Sequence, residues 1–152
     1  SDISADALAV AAANAERSGL SDRFEPRHGS LWEIVGGDER FDVIVSNPPY
    51  VAESDRAGLE PEVGEHEPPE ALFGGREGLD VLRALVEGAS GHLAPGGLLA
   101  TEVGLGQSRI VADWLASSPE FEAPRVMMDL TGRERIVLAE RVGSERQEGE
   151  KR

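Results

Sequence analysis

The 152 residues, 39% of them hydrophobic, suit a single domain with one core, and a formal net charge of -14 opposes a polyanionic partner, since nucleic-acid binding needs clustered Lys and Arg. Cysteine is absent, which removes disulfide frameworks and thiolate metal sites, and His28, His66 and His92 stand at no ligand spacing, so no metal is expected. No apolar run approaches the roughly 20 residues of a membrane-spanning helix and the start carries no signal-peptide pattern, so a cytoplasmic location is expected.

In chain order, Ser4 is a suitable N-cap, and Leu8, Ala11, Ala12 and Ala15 recur at helical spacing up to Gly19, which stops a helix with one apolar face. Phe24 to His28 reads as a short strand, and Pro26 assigns it to a sheet edge. The run from Phe41 to Ser46 has one charged residue, Asp42, and the length of a central parallel strand buried on both faces. After Tyr50 the chain is polar and proline-rich up to Pro69, too long for a simple connector, and such a loop is usually functional or mobile. From Leu79, the positions Leu82, Leu85, Val86 and Ala89 mark a second amphipathic helix that ends near Pro95-Gly96-Gly97, and Leu98 to Val103 forms the next strand. Ile110, Val111, Trp114 and Leu115 mark a third helix that starts near Gln107 and stops before Pro119. Arg125 to Leu130 and Glu134 to Val142 read as strands paired through a turn at Thr131-Gly132-Arg133. This alternation predicts an α/β fold: a mostly parallel sheet covered by helices, with an antiparallel hairpin at the carboxyl end. Residues 1–142 form the folded part and 143–152 a charged tail that frays.

Ser46-Asn47-Pro48-Pro49-Tyr50 falls where the middle strand ends, which is the side on which open α/β sheets bind ligands. Consecutive prolines fix their own φ angles and restrict the residue before each, so the turn is stiff. It can hold the Asn47 side-chain oxygen and the Pro48 carbonyl as two convergent acceptors beside the Tyr50 ring. That set suits a planar NH2 group, each acceptor taking one hydrogen while the ring packs on its face. An amide or exocyclic amino nitrogen is a weak nucleophile because its lone pair is delocalised. Holding both N–H bonds directs that lone pair, which is catalysis by orientation and electrostatics.

Further segments accompany this turn: Glu67-Pro68-Pro69-Glu70-Ala71-Leu72-Phe73-Gly74-Gly75, Gly78-Leu79-Asp80, Glu102-Val103-Gly104, and Asp129-Leu130-Thr131-Gly132-Arg133-Glu134-Arg135. With them, nearly the whole chain up to Val142 resembles the catalytic domain of the release factor glutamine methyltransferases, the HemK-type enzymes. The resemblance implies a Rossmann-like class I methyltransferase sheet, with methyl transfer from S-adenosylmethionine to a glutamine side-chain amide in a peptide-chain release factor. It implies that Asn47 binds the amide through its side chain and Pro48 through its carbonyl, that Pro49 and Tyr50 complete the substrate contact, and that Glu67 contacts substrate or braces its loop. It further implies that Asp2 holds the cofactor ribose, that Ser30 and Leu31 lie at the adenine ring, and that Asn47 also faces the cofactor. Glu102 is given a structural role, and Arg133 and Arg135 hold the hairpin.

The family's glycine-rich cofactor turn would precede Ser1, and no Gly-x-Gly-x-Gly pattern occurs here. The chain is therefore expected to be the carboxyl-terminal part of a longer enzyme, to bind cofactor weakly or not at all alone, and either to self-associate through exposed strand edges or to leave the residues before about Asp38 poorly ordered. Two other readings stay open: a methyltransferase for amino groups of nucleic-acid bases, which shares the Pro-Pro signature, and a catalytically silent folding or interaction module.

Overall fold

The computed structural model describes residues 1–59 and 68–143, in two compact units, Ser1–Glu39 and Arg40–Arg152. Glu67, His66 and the tail from 144 onward lie outside the described residues.

In the first unit, helix α1 spans Ala5–Arg17. The Ser4 hydroxyl caps it by accepting from the Ala7 amide at 3.2 Å, and Gly19 ends it at φ 67. The strand expected at Phe24 to His28 does not form. An isolated parallel bridge between Asp2 and His28 stands in its place, with the Asp2 amide donating to the Arg27 carbonyl at 3.2 Å and the Gly29 amide to the Asp2 carbonyl at 3.0 Å. Pro26 has no N–H to donate, and in so short a stretch the loss of one ladder bond leaves too few to sustain a strand. Arg27 organises the remainder: its guanidinium donates to both Glu39 carboxylate oxygens, at 2.6 and 2.8 Å, to Glu25 at 2.8 Å and to the Ile34 carbonyl at 3.3 Å. These bonds, that with Glu39 foremost, hold the guanidinium pKa above its usual value.

The second unit is a four-stranded sheet in the order β1-β2-β4-β3, with β1 at Phe41–Ser46, β2 at Leu93–Glu102, β3 at Arg125–Met128 and β4 at Glu134–Glu140. A short helix α2 covers Pro69–Leu72, α3 covers Asp80–His92 and α4 covers Ser108–Ser117. β1 and β2 run parallel, as two strands joined through a helix must, while β4 is antiparallel to β2 and β3 to β4. Helix periodicity translates directly into packing. Leu82, Leu85, Val86 and Ala89 of α3 and Val111 and Leu115 of α4 are buried against Leu93, Leu99 and Val103, with Val137 and Ala139 of β4 completing the core. β2 begins five residues earlier than expected. Phe41 pairs with Leu93 but Val43 with Leu98, so the Pro95-Gly96-Gly97 segment is accommodated as a bulge and held by Arg141, which exchanges backbone hydrogen bonds with Gly96 and Gly97.

One expectation about β1 is corrected. It stands at the sheet's end in this unit, with Val43 54% and Val45 76% exposed, so it is not buried on both faces. The hairpin forms as expected but its strands stop at Met128 and Glu140, because Asp129 already belongs to the turn: its carboxylate accepts from the Thr131 amide at 2.8 Å, the Thr131 hydroxyl at 2.6 Å and the Arg133 amide at 3.1 Å.

Candidate functional site

The site is set by the sheet register. Ser46 pairs in parallel with Thr101, so Asn47 leaves the sheet at the carboxyl edge where Glu102, the last residue of β2, still pairs with Ile136 of β4. There Asn47 is exposed, Pro48 is buried, and Pro49 and Tyr50 are half-buried.

The loops around this edge clamp the turn from three sides. From the first, the Val51 amide donates to the Leu72 carbonyl at 2.9 Å and the Gly74 amide to the Val51 carbonyl at 3.0 Å, which seats α2 beside the turn. A β-carbon on Gly74 would collide with the Pro49 carbonyl, and one on Gly78, at φ 70, with the Tyr50 carbonyl. Glycine is required at both for that close approach. From the second side, the Tyr50 hydroxyl donates to Glu102 Oε1 at 2.9 Å, and the Arg135 guanidinium lies 5.9 Å from the ring centroid while donating to the Val103 carbonyl at 3.2 Å. From the third, Gln107 donates through Nε2 to the Tyr50 carbonyl at 2.9 Å and to the Gly78 carbonyl at 3.2 Å, and accepts at Oε1 from the Gly104 amide at 2.8 Å.

What the clamp leaves over matters most. Among the described residues, neither the Asn47 carboxamide nor the Pro48 carbonyl takes a hydrogen bond. Beside Tyr50 opens a cleft of about 560 Å³, walled by Val51, Ala52, Ser54, Asp55 and Leu59 on one side and Gly104 and Leu105 on the other. The 3-10 helix of Glu53–Gly58 on the first wall is braced by Arg56, whose guanidinium lies 4.1 Å over the Phe73 ring. Of the turn, Tyr50 lines this cleft, while Asn47 and Pro48 precede it in the chain and keep their acceptors unsatisfied; two such acceptors beside an aromatic ring are the set that a planar NH2 group needs.

Asn47, Pro48, Pro49 and Tyr50 are thus brought together on the second unit, whereas Asp2, Ser30 and Leu31 belong to the first. Asp2 accepts from the Ser4 amide through Oδ1 at 2.8 Å, and its Oδ2 takes no hydrogen bond among the described residues. Ser30 is exposed, and Leu31 is half-buried with φ 43, a left-handed conformation unusual for a branched side chain. Glu67 lies outside the described residues. No group of three His, Asp or Glu among the described residues is placed to hold a metal ion.

Sequence reasoning placed Gln107 only at a helix start. The available signal was slight: Gln107 stands three residues after Gly104 at the N-cap of an apolar helical run, from which its side chain can turn back to the Gly104 amide.

No protein-family model matches the chain. It is 44% identical over 137 residues to the release factor glutamine methyltransferase of Gloeobacter violaceus, covering 90% of this chain and 48% of that protein. To that of Cereibacter sphaeroides it is 46% identical over 138 residues, covering 91% and 49%. The chain therefore spans about half the length of these curated relatives. Among solved structures it is similar to TrmN from Thermus thermophilus (TM-score 0.60, 20% identity, 92% of this chain and 35% of that one) and to a methyltransferase from Pyrococcus furiosus (TM-score 0.58, 21% identity, 93% and 60%). The fold is that of class I methyltransferases.

Proposed function

Because this chain is homologous to part of the release factor glutamine methyltransferases, we propose that it carries the amide-binding edge of such an enzyme, one that methylates a glutamine side-chain nitrogen of a peptide-chain release factor in the cytoplasm. The observation that carries this reading is the pair of unsatisfied acceptors, Asn47 Oδ1 and the Pro48 carbonyl, on a turn anchored at its far end through the Tyr50 carbonyl and hydroxyl.

Asn47 and Pro48 each accept one N–H of the substrate amide, and the Tyr50 ring packs on its face. With both N–H bonds held, conjugation of the lone pair with the amide carbonyl weakens and the nitrogen's electrons are aimed to one side. The cleft beside the ring offers apolar contacts from Val51, Leu59 and Leu105. S-adenosylmethionine supplies the electrophilic methyl group. By chemistry alone, the Asp2 carboxylate of the first unit, with an acceptor left over, suits ribose hydroxyls, and Ser30 and Leu31 of that unit suit the adenine; on the second unit, Asn47 suits the reacting end of the cofactor.

Radiolabelled methyl transfer by the enzyme in its natural full-length form, with a release factor and with DNA offered in parallel, tests the reading. Label on the release factor, lost when its target glutamine is replaced, is the expected result. Label on DNA alone would transfer the site to base amino groups, which present the same planar NH2, and overturn the proposal.

A further inference from the structure

Gln107 joins three loops through one carboxamide, and its bonds meet the Asn47-Pro48-Pro49-Tyr50 turn at the Tyr50 carbonyl, two residues beyond the Pro48 acceptor. We infer that Gln107 is a positioning residue for the amide-binding turn, setting the direction of the Pro48 carbonyl and the Asn47 side chain without touching substrate; the inference rests on the function proposed above. Proline φ angles are fixed, so the turn's remaining freedom lies in ψ and in the residues that follow. Tyr50 is the first residue after the prolines, and fixing its carbonyl fixes the plane of the peptide that leaves the turn.

The latch is directional. Both Nε2 hydrogens are used, one to Tyr50 and one to Gly78, and Oε1 takes the Gly104 amide, so the orientation of the carboxamide is determined by its partners. Glutamate has the same shape but no donor, and it would set a carboxylate oxygen against two carbonyls while keeping the Gly104 bond. A general structural role predicts lower stability with proportionate loss of all functions. A positioning role predicts loss of turnover with binding retained, since a misplacement of about 1 Å can cost about a hundredfold in rate.

The test uses Gln107→Glu, with Gln107→Met as the variant that keeps bulk and loses all three bonds should the charged one fail to fold. Tyr50 is the sole tyrosine of this chain, so 3-fluorotyrosine labelling of the chain itself gives a single fluorine resonance for it, while kcat and cofactor Kd are read on the full-length enzyme. The expected result is a kcat lowered at least tenfold, a cofactor Kd within twofold of the parent, and a shifted or broadened Tyr50 resonance. An unmoved resonance overturns the inference, and so does a kcat within twofold whatever the resonance does. A parent enzyme that methylates no glutamine defeats the proposed function instead, and the fluorine spectra then decide the latch alone: unchanged lines reject it, moved lines support it.

Discussion

Asn47 carries the largest expected effect of any single side chain. Its carboxamide is exposed and takes no hydrogen bond among the described residues, so Asn47→Ala removes an acceptor that acts on the substrate nitrogen and leaves no protein group unpaired. By analogy with the loss of one oxyanion-hole hydrogen bond, turnover is expected to fall about a hundredfold to a thousandfold with cofactor affinity nearly unchanged, as steady-state kinetics and calorimetry would show. Gly78→Ala tests the same turn from behind. A methyl group there meets the Tyr50 carbonyl in a backbone conformation that alanine disfavours, so turnover is expected to drop at least tenfold although residue 78 never reaches the substrate. The acceptor pair was legible in the sequence because two prolines after Asn47 dictate a stiff turn at a strand end. Gln107 was not legible as part of the site: its three partners come from segments 50, 78 and 104, and only the folded chain makes them neighbours.

Elements were legible where periodicity met burial. The apolar face of α3 emerged as read because Leu82, Leu85, Val86 and Ala89 all enter the core, and Leu82→Ala, at a fully buried position, is expected to cost about 2–5 kcal/mol in chemical denaturation. The Phe24 to His28 stretch failed as a strand because local composition says nothing about whether a partner strand lies alongside, and only Asp2 does. β1 was correctly bounded, but its burial depends on neighbours that a pattern of apolar residues cannot supply. The β3–β4 hairpin makes a pH-dependent contribution. Hydrogen bonds from the Thr131 hydroxyl first, and then the Arg133 amide, hold the Asp129 carboxyl below the usual carboxylate range. A carboxyl with a depressed folded-state pKa stabilises fully above its unfolded value, about 3.9, and loses that contribution as pH falls through the lower folded value. Asp129→Ala is therefore expected to lower Tm at pH 7 by a few degrees, with the difference shrinking in acid as pH falls through the lowered folded-state pKa and the parent carboxyl becomes protonated too. A Tm gap that persists unchanged into acid would remove the carboxylate from the account.

At the scale of the whole molecule, exposed apolar surface and net charge act in opposition. Val43 and Val45 leave an apolar stripe on β1, the strand at one end of the four-stranded sheet, which is the kind of surface that recruits a further strand or another chain. The formal charge of -14 repels a second copy, and that repulsion is long-ranged only while salt is low, since the screening length is about 10 Å at 0.1 M and about 3 Å at 1 M. Self-association of this chain is thus expected to rise with ionic strength, whereas association through ion pairs would fall. Sedimentation velocity between about 0.05 and 1 M salt separates the two. Val45→Lys, which puts a charge on the most exposed part of the stripe without touching the buried core, should hold the chain monomeric across the range. If the variant associates as readily as the parent, the contact lies elsewhere and β1 is not the surface through which copies meet.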